Sequence, residues 1–446
     1  MNAKCKTWIA ALFAAACGFA EARAPRASHD VVCRIESERG VLPANQTAKT
    51  VLKISLDAPP APGGNSRPPV NLCIVMDRSG SMSGAKMEQA REAAVAALRR
   101  LDSRDFFSLV VYDHEVETVV PARRADNLEW IEARIRSVDA RGNTALFAGV
   151  GQGAAEIRKN LDSGCVSRIV LLSDGLANVG PSSPEDLGRL GASLRKENVS
   201  VTTVGVGTDY NENLMAQLAQ QSDGNTYFVG NVRDLPRIFS AELGDVLSVV
   251  ARQVRIVVEC AENVRPLRLI GRDGRIAGQS VELDLNQLYG GQEKYVLLEV
   301  EVPPAEDGGE RRIADVRCEY ENLLTRRPAV AAGVSSVSFS RAEDEVQASL
   351  NAPVAKVVVL NEAAAAKDDA LRLVDADRSA EAAEVLRSRS SRIRSVAAQI
   401  GDSSMALEAD RLEESAAKAE RQDLPADLRK EMKASSFQLR NQQSTQ

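Results

Sequence analysis

The sequence predicts an α/β domain with a doubly wound, mostly parallel sheet, inserted in a β-sandwich and followed by a C-terminal helical region. Three observations point there. Over residues 68–247, nearly continuous apolar strands alternate with amphipathic helical stretches, the pattern of a parallel sheet covered on both faces. Helix-free β segments flank it at 25–58 and 250–342, and the first is too short to bury a core alone. From 343 to 446 the apolar spacing becomes helical.

The chain opens on an address rather than a fold. Lys4 and Lys6 precede an apolar run from Thr7 to Ala20, and small residues follow at Ala20, Ala22 and Ala24. Residues 1–24 therefore read as a secretory signal peptide, which implies a periplasmic, cell-envelope or secreted protein. Ala14-Ala15-Ala16-Cys17 is a faint version of a lipoprotein cleavage site, with Ala14 where Leu is usual. Soluble export is favoured, and a lipid anchor at Cys17 is the alternative. No later stretch has the roughly 18 uncharged apolar residues of a transmembrane span.

The segment DVVCRIESERGVLPANQTAKTVLKISLD (30–57) alternates apolar and polar residues, which gives two or three strands. Pro59 to Pro69 is a linker, because its prolines and glycines forbid regular pairing. The α/β domain follows, with strands at VNLCIVM, FFSLVVY, SRIVLLS, VSVTTVGVG and NTYFV. Helices are expected between them, among them Lys86 to Leu101, Leu128 to Val138 and Pro184 to Glu197. Beyond Val249 come VRIVVEC, EKYVLLEVEV, IADVRCEYEN and VSSVSFS, antiparallel in character, which join the N-terminal strands in one sandwich. The tail starts helices at Asn351 and Asp402 and stops one at Gly401. Two or three antiparallel helices resting on the sandwich account for it.

Composition narrows the function. Lys and Arg total 56 against 62 Asp and Glu, a net charge of −6, with 4% aromatics. A nucleic-acid binder needs a basic face and stacking rings, so that class is excluded. Two histidines, His29 and His114, and no HExxH pair exclude a zincin protease. Beyond Cys5 and Cys17, five cysteines remain with no CxxC spacing, so no zinc knuckle or thioredoxin-like site is indicated. Cys73 lies inside an apolar strand and acts as a small hydrophobe. Export permits one bridge among Cys33, Cys260 and Cys318, with the pairing open.

The chemistry concentrates at Asp77-Arg78-Ser79-Gly80-Ser81, at the carboxyl end of the first α/β strand. A carboxylate and two hydroxyls at alternating positions of a tight loop can converge on one hard cation, and Mg²⁺ wants about six oxygen ligands. Asp77 alone would leave that ion under-neutralised, so an open position would attract an outside acidic group. Thr144 in RGNTAL and Asp174 in IVLLSDGLAN lie on two further loops that reach the same edge of a doubly wound sheet. Plainer readings exist. The serines could cap the next helix, Asp113 is a turn residue, and His114 is a solvated surface side chain. Gly149 to Ala154 fits a loose G-x-G-x-x-A but follows a loop, so it lets a helix lie close to the sheet. Gly205-Val206-Gly207-Thr208 follows a strand, yet Tyr210 stands where a third glycine belongs. No GxxxxGK[ST] phosphate loop exists.

DRSGSM, GNTAL and LLSDGLAN together resemble the three loops of the von Willebrand factor A domain, with the metal-ion-dependent adhesion site shared by integrin inserted domains. The resemblance covers about residues 68 to 247. It implies that Asp77, Ser79, Ser81, Thr144 and Asp174 hold a divalent metal, Mg²⁺ first with Mn²⁺ or Ca²⁺ as substitutes, while a protein partner's Asp or Glu completes the coordination. The flanking segments resemble, more loosely, bacterial exported proteins similar to calcium-activated chloride channel regulators or inter-alpha-trypsin inhibitor heavy chains. The regulators' protease signature is absent. The function expected is an exported, metal-dependent adhesion or scaffolding protein and not an enzyme. The alternatives are a structural cell-envelope protein whose metal only rigidifies loops, and a phosphotransferase-like enzyme using Asp77. Against the latter, Ser79 stands where such enzymes place a second Asp.

Overall fold

The computed structural model describes residues 29–63, 66–161 and 164–443. Residues 1–24, read above as a signal peptide, lie outside them, Cys17 included. Strands β1 (Val32–Ser37), β2 (Val41–Pro43) and β3 (Ala48–Asp57) come first. The α/β unit then runs β4 (Val70–Asp77), α1 (Ala85–Leu98), β5 (Phe106–Tyr112), β6 (Val116–Arg124), α2 (Leu128–Arg136) and α3 (Leu146–Arg158). It continues with β7 (Val166–Ser173), α4 (Pro184–Lys196), β8 (Val199–Val206), α5 (Glu212–Gln221), β9 (Thr226–Val229) and α6 (Leu235–Leu247).

Its sheet has the order β6-β5-β4-β7-β8-β9. All neighbours are parallel except β5 and β6, which form an antiparallel hairpin at one edge. β4 is buried along its whole length, and its side chains alternate between two cores. Leu72, Ile74 and Met76 join the cluster under α1, α2 and α6. Cys73 and Val75 join the one under α3, α4 and α5. The glycines of α3 do let it approach closely. A Cβ on Gly153 would stand 2.5 Å from Val75, and one on Gly149 would stand 2.7 Å from the Tyr112 ring.

The chain then returns to β structure: β10 (Val249–Cys260), β11 (Arg265–Ile270), β12 (Arg275–Ala277), β13 (Ser280–Tyr289), β14 (Glu293–Val302), β15 (Glu310–Asn322) and β16 (Arg327–Ser340). These strands form a sandwich with the first three. One sheet is β1-β3-β14-β11, the other β12-β13-β10-β15-β16-β2. β3 pairs with β14 from Ala48↔Val302 to Asp57↔Glu293, and β2 runs parallel to β16. The chain therefore leaves the sandwich after β3 and rejoins it at β10. Leu52, Ile54 and Leu56 share one core with Ile256, Val296, Leu298 and Val316. The five cysteines among the described residues are free thiols. Burial pushes Cys318 up to about 12, and neighbouring Cys33 adds to the shift.

The tail holds α7 (Glu343–Ala348), α8 (Ala352–Asp375), α9 (Ser379–Ile400), α10 (Ser404–Glu420) and α11 (Ala426–Arg440). That is four long helices where two or three were expected. Val354 and Val358 of α8 pack on the sandwich residues Val51, Ile270 and Leu297. α11 instead reaches the α/β unit, where Phe437 packs on Ala216 and Ala219 and Lys430 pairs with Glu212 at 2.8 Å. Beyond it, Gln443 accepts from the Thr226 N–H and donates to the Thr226 carbonyl. Its amide thus covers backbone groups of the edge strand β9, an edge otherwise open to pairing with another chain. No helix among the described residues is long and apolar enough to cross a membrane.

Candidate metal centre

β4 is the central strand at which the chain reverses its winding, first outward to β5 and then back to β7 on the other side. Ligands collect beyond the carboxyl ends of strands at such a point. Three loops meet there and are tied by their backbones. The Gly80 N–H donates to the Gly142 carbonyl at 3.0 Å, and the Arg141 N–H to the Arg78 carbonyl at 2.5 Å. The Thr144 N–H donates to Asn178 Oδ1 at 3.0 Å, and the Asn178 N–H returns to the Thr144 carbonyl at 3.2 Å. Gly142 has φ +72°, and a Cβ there would stand 2.4 Å from His114 Nδ1. Only glycine fits that turn.

The structure brings all five expected residues to this edge. Asp77 Oδ1 accepts from the Ser79 N–H and Oδ2 from the Ser173 hydroxyl, both at 2.8 Å. The Ser79 and Ser81 hydroxyls lie 3.0 Å apart, and Ser81 donates to Asp174 Oδ1 at 2.7 Å. Thr144 closes the group. A Cβ on Gly175 would stand 3.4 Å from its Oγ1 and 3.6 Å from Ser81 Oγ. Asp77, Ser79, Thr144 and Asp174 are buried, whereas Ser81 is exposed. The cluster is closed below and open at Ser81.

The donor set consists entirely of oxygens, which suits a hard divalent cation and not a thiophilic one. Burial pushes the Asp77 carboxyl up to about 6, against the hydrogen bonds from Ser79 and Ser173, and the charge of Asp174 raises it further. The two buried carboxylates are offset by a single ammonium, that of Lys86 on Asp174, so a net negative charge remains and the residues fit a cation.

Helix capping does not explain the serines. The cap residue of α1 is Gly84, and no side chain bonds to that helix's free N–H groups. Asp113 is the turn residue expected, but it is also fully buried. It accepts from Arg78 Nε at 2.8 Å, Arg141 Nε at 3.0 Å and the Glu115 N–H at 2.7 Å. Those bonds clamp the first two loops together. They also spend the lone pairs that Asp113 would need to ligate an ion with His114 and Glu115 nearby. Lys86, whose Nζ lies 2.5 Å from Asp174 Oδ2, was not among the expected site residues. Its position one turn after DRSGSM was the available signal.

The unit is a doubly wound α/β sheet whose carboxyl-edge loops gather carboxylates and hydroxyls. Residues 71–241 match the von Willebrand factor type A domain model, and the chain carries a domain of that family. Among curated proteins, the uncharacterized protein YfbK of Escherichia coli is 27% identical over 213 residues, 47% of this chain and 37% of that protein. Human inter-alpha-trypsin inhibitor heavy chain H4 is 32% identical over 173 residues, 37% of this chain but 18% of that protein. The chain thus spans well under half the length of either relative. A solved von Willebrand factor type A structure from Catenulispora acidiphila covers 86% of this chain and 90% of its own. Its TM-score is 0.66 at 18% identity, a likeness of fold. Domains of this family commonly serve as metal-dependent protein-interaction modules.

Proposed function

We propose that this protein is an exported binding module that captures an acidic residue of a protein partner through a divalent cation held by Asp77, Ser79, Ser81, Thr144 and Asp174. One observation carries the reading: five oxygen-bearing side chains from three loops gather at one sheet edge, Asp77, Ser79, Ser81 and Asp174 linked by hydrogen bonds and Thr144 beside them, and of the five Ser81 is the exposed one. Mg²⁺ suits this set, with Mn²⁺ or Ca²⁺ as substitutes. When bound, the cation supplies electrostatic attraction for a carboxylate. The chain's own residues do the rest. Asp113, Arg78 and Arg141 fix the loops, and Leu176 (59% exposed) and Arg141 (56%) flank the opening as partner-facing surface. Export is supported by the pattern of residues 1–24, with a lipid anchor at Cys17 as its variant.

The test is capture from cell-envelope extract on immobilised protein, with Mg²⁺ or with chelator. A partner retained with Mg²⁺, released by chelation and lost with Ser79→Ala is expected. The same proteins retained in all three conditions would contradict the reading.

A further inference from the structure

Lys86, the second residue of α1, is 27% exposed and its ammonium sits on the buried carboxylate of Asp174. Both Asp174 oxygens are engaged, Oδ1 by the Ser81 hydroxyl and Oδ2 by Lys86. The ammonium also lies 3.9 Å from where a Cβ on Gly207 would stand, so it is lodged between the loops after β7 and β8. Among the described residues Asp77 has no ion pair, and Lys86 is the cation paired with Asp174. Two carboxylates and one ammonium leave the cluster one negative charge. A divalent ion turns this into one positive charge, where without the lysine it would reach neutrality.

We propose that Lys86 is a positioning residue that competes with the cation for Asp174 and so keeps part of a bound ion's charge for the partner's carboxylate. The inference rests on the metal-binding reading above. A carboxylate already paired with an ammonium is a poorer ligand, because the ion must share it or displace the lysine. The lysine therefore weakens cation binding, holds the loops together without the ion, and leaves a net positive mouth.

The experiment measures free Mn²⁺ by electron paramagnetic resonance while the full chain is titrated, in wild type, Lys86→Met, Lys86→Gln, Lys86→Arg and Asp77→Ala. Removing one positive charge beside the site is expected to tighten Mn²⁺ binding about tenfold or more in the Met and Gln variants. Lys86→Arg keeps the charge and retains the wild-type affinity. The neutral variants should also melt lower in chelator yet gain more than wild type from Mn²⁺, which a purely structural lysine would not produce. Using two neutral variants keeps the test decisive if one folds poorly. Wild type that binds Mn²⁺ through Asp77 while neither neutral variant tightens would overturn the lysine proposal alone. Wild type that binds no Mn²⁺ would overturn the underlying reading as well.

Discussion

Replacing Arg168 with methionine is expected to destabilise the protein by about 3–5 kcal/mol, the cost of leaving a buried charge without its partner. Arg168 lies on β7, far from the proposed metal centre, and has no solvent exposure. Its guanidinium donates to Thr202 Oγ1 at 3.1 Å, Gln287 Oε1 at 2.8 Å and the Tyr289 hydroxyl at 2.9 Å, and pairs with Glu242 at 3.3 Å. Burial opposes its charge, yet Tyr289 and Glu242 hold its pKa above the usual arginine value. Glu242 is equally buried and also accepts from Thr202, Asn225 and Tyr227. The network thus stitches the α/β unit to β13 of the sandwich. It is not perfect, because Arg168 Nε has no partner. The double variant Arg168→Met with Glu242→Gln should therefore recover a large part of the loss. Urea unfolding of the two single variants and the pair reads both effects. A loss under 1 kcal/mol for Arg168→Met would show that this contact does not hold the two units together.

The second large effect belongs to Asp77. Added Mg²⁺ is expected to stabilise chelator-treated wild type by about 2.7 kcal/mol at a hundredfold excess over its dissociation constant, and Asp77→Ala should abolish that increment. The metal-free background is a balance of opposite changes. The substitution strands the Ser79 N–H and the Ser173 hydroxyl, but it also removes a carboxyl that burial makes costly to ionise. The increment, and not the starting stability, is therefore the quantity to read. Asp77→Asn keeps the shape and separates geometry from charge. Thermal melts with and without Mg²⁺ measure it. An undiminished increment in Asp77→Ala would place the ion elsewhere.

Much of the fold was legible because the α/β strands are buried on both faces. VNLCIVM and SRIVLLS are continuous apolar runs, and such runs bounded by turns have few other readings. β6 was not legible. VETVVPARR is an edge strand with one mixed face and a proline, so its pattern resembles a loop. α11 lies in the region expected to be helical, but it was not delimited as a separate helix, for a related reason. Its buried side chains include Lys430 and Ser436, and it is held by ion pairs and amides that periodicity does not register.

The site divides along the same line. Asp77, Ser79 and Ser81 share one loop, and Thr144 and Asp174 sit in recognisable loop sequences, so the expected set could be named from the chain alone. Asn178 bonds Thr144 from 34 residues away, and Arg78 meets Asp113 across 35. Such pairings leave no spacing signature. Lys86 escaped because a lysine on the first turn of a helix usually faces water.

The most direct measurement is a crystal of the full chain grown with Mn²⁺ and examined for anomalous density. A single peak bounded by Asp77, Ser79 and Ser81, with Thr144 and Asp174 beside it, is the predicted result. Density at another place, or ordered side chains with no peak among them at saturating Mn²⁺, would contradict the account.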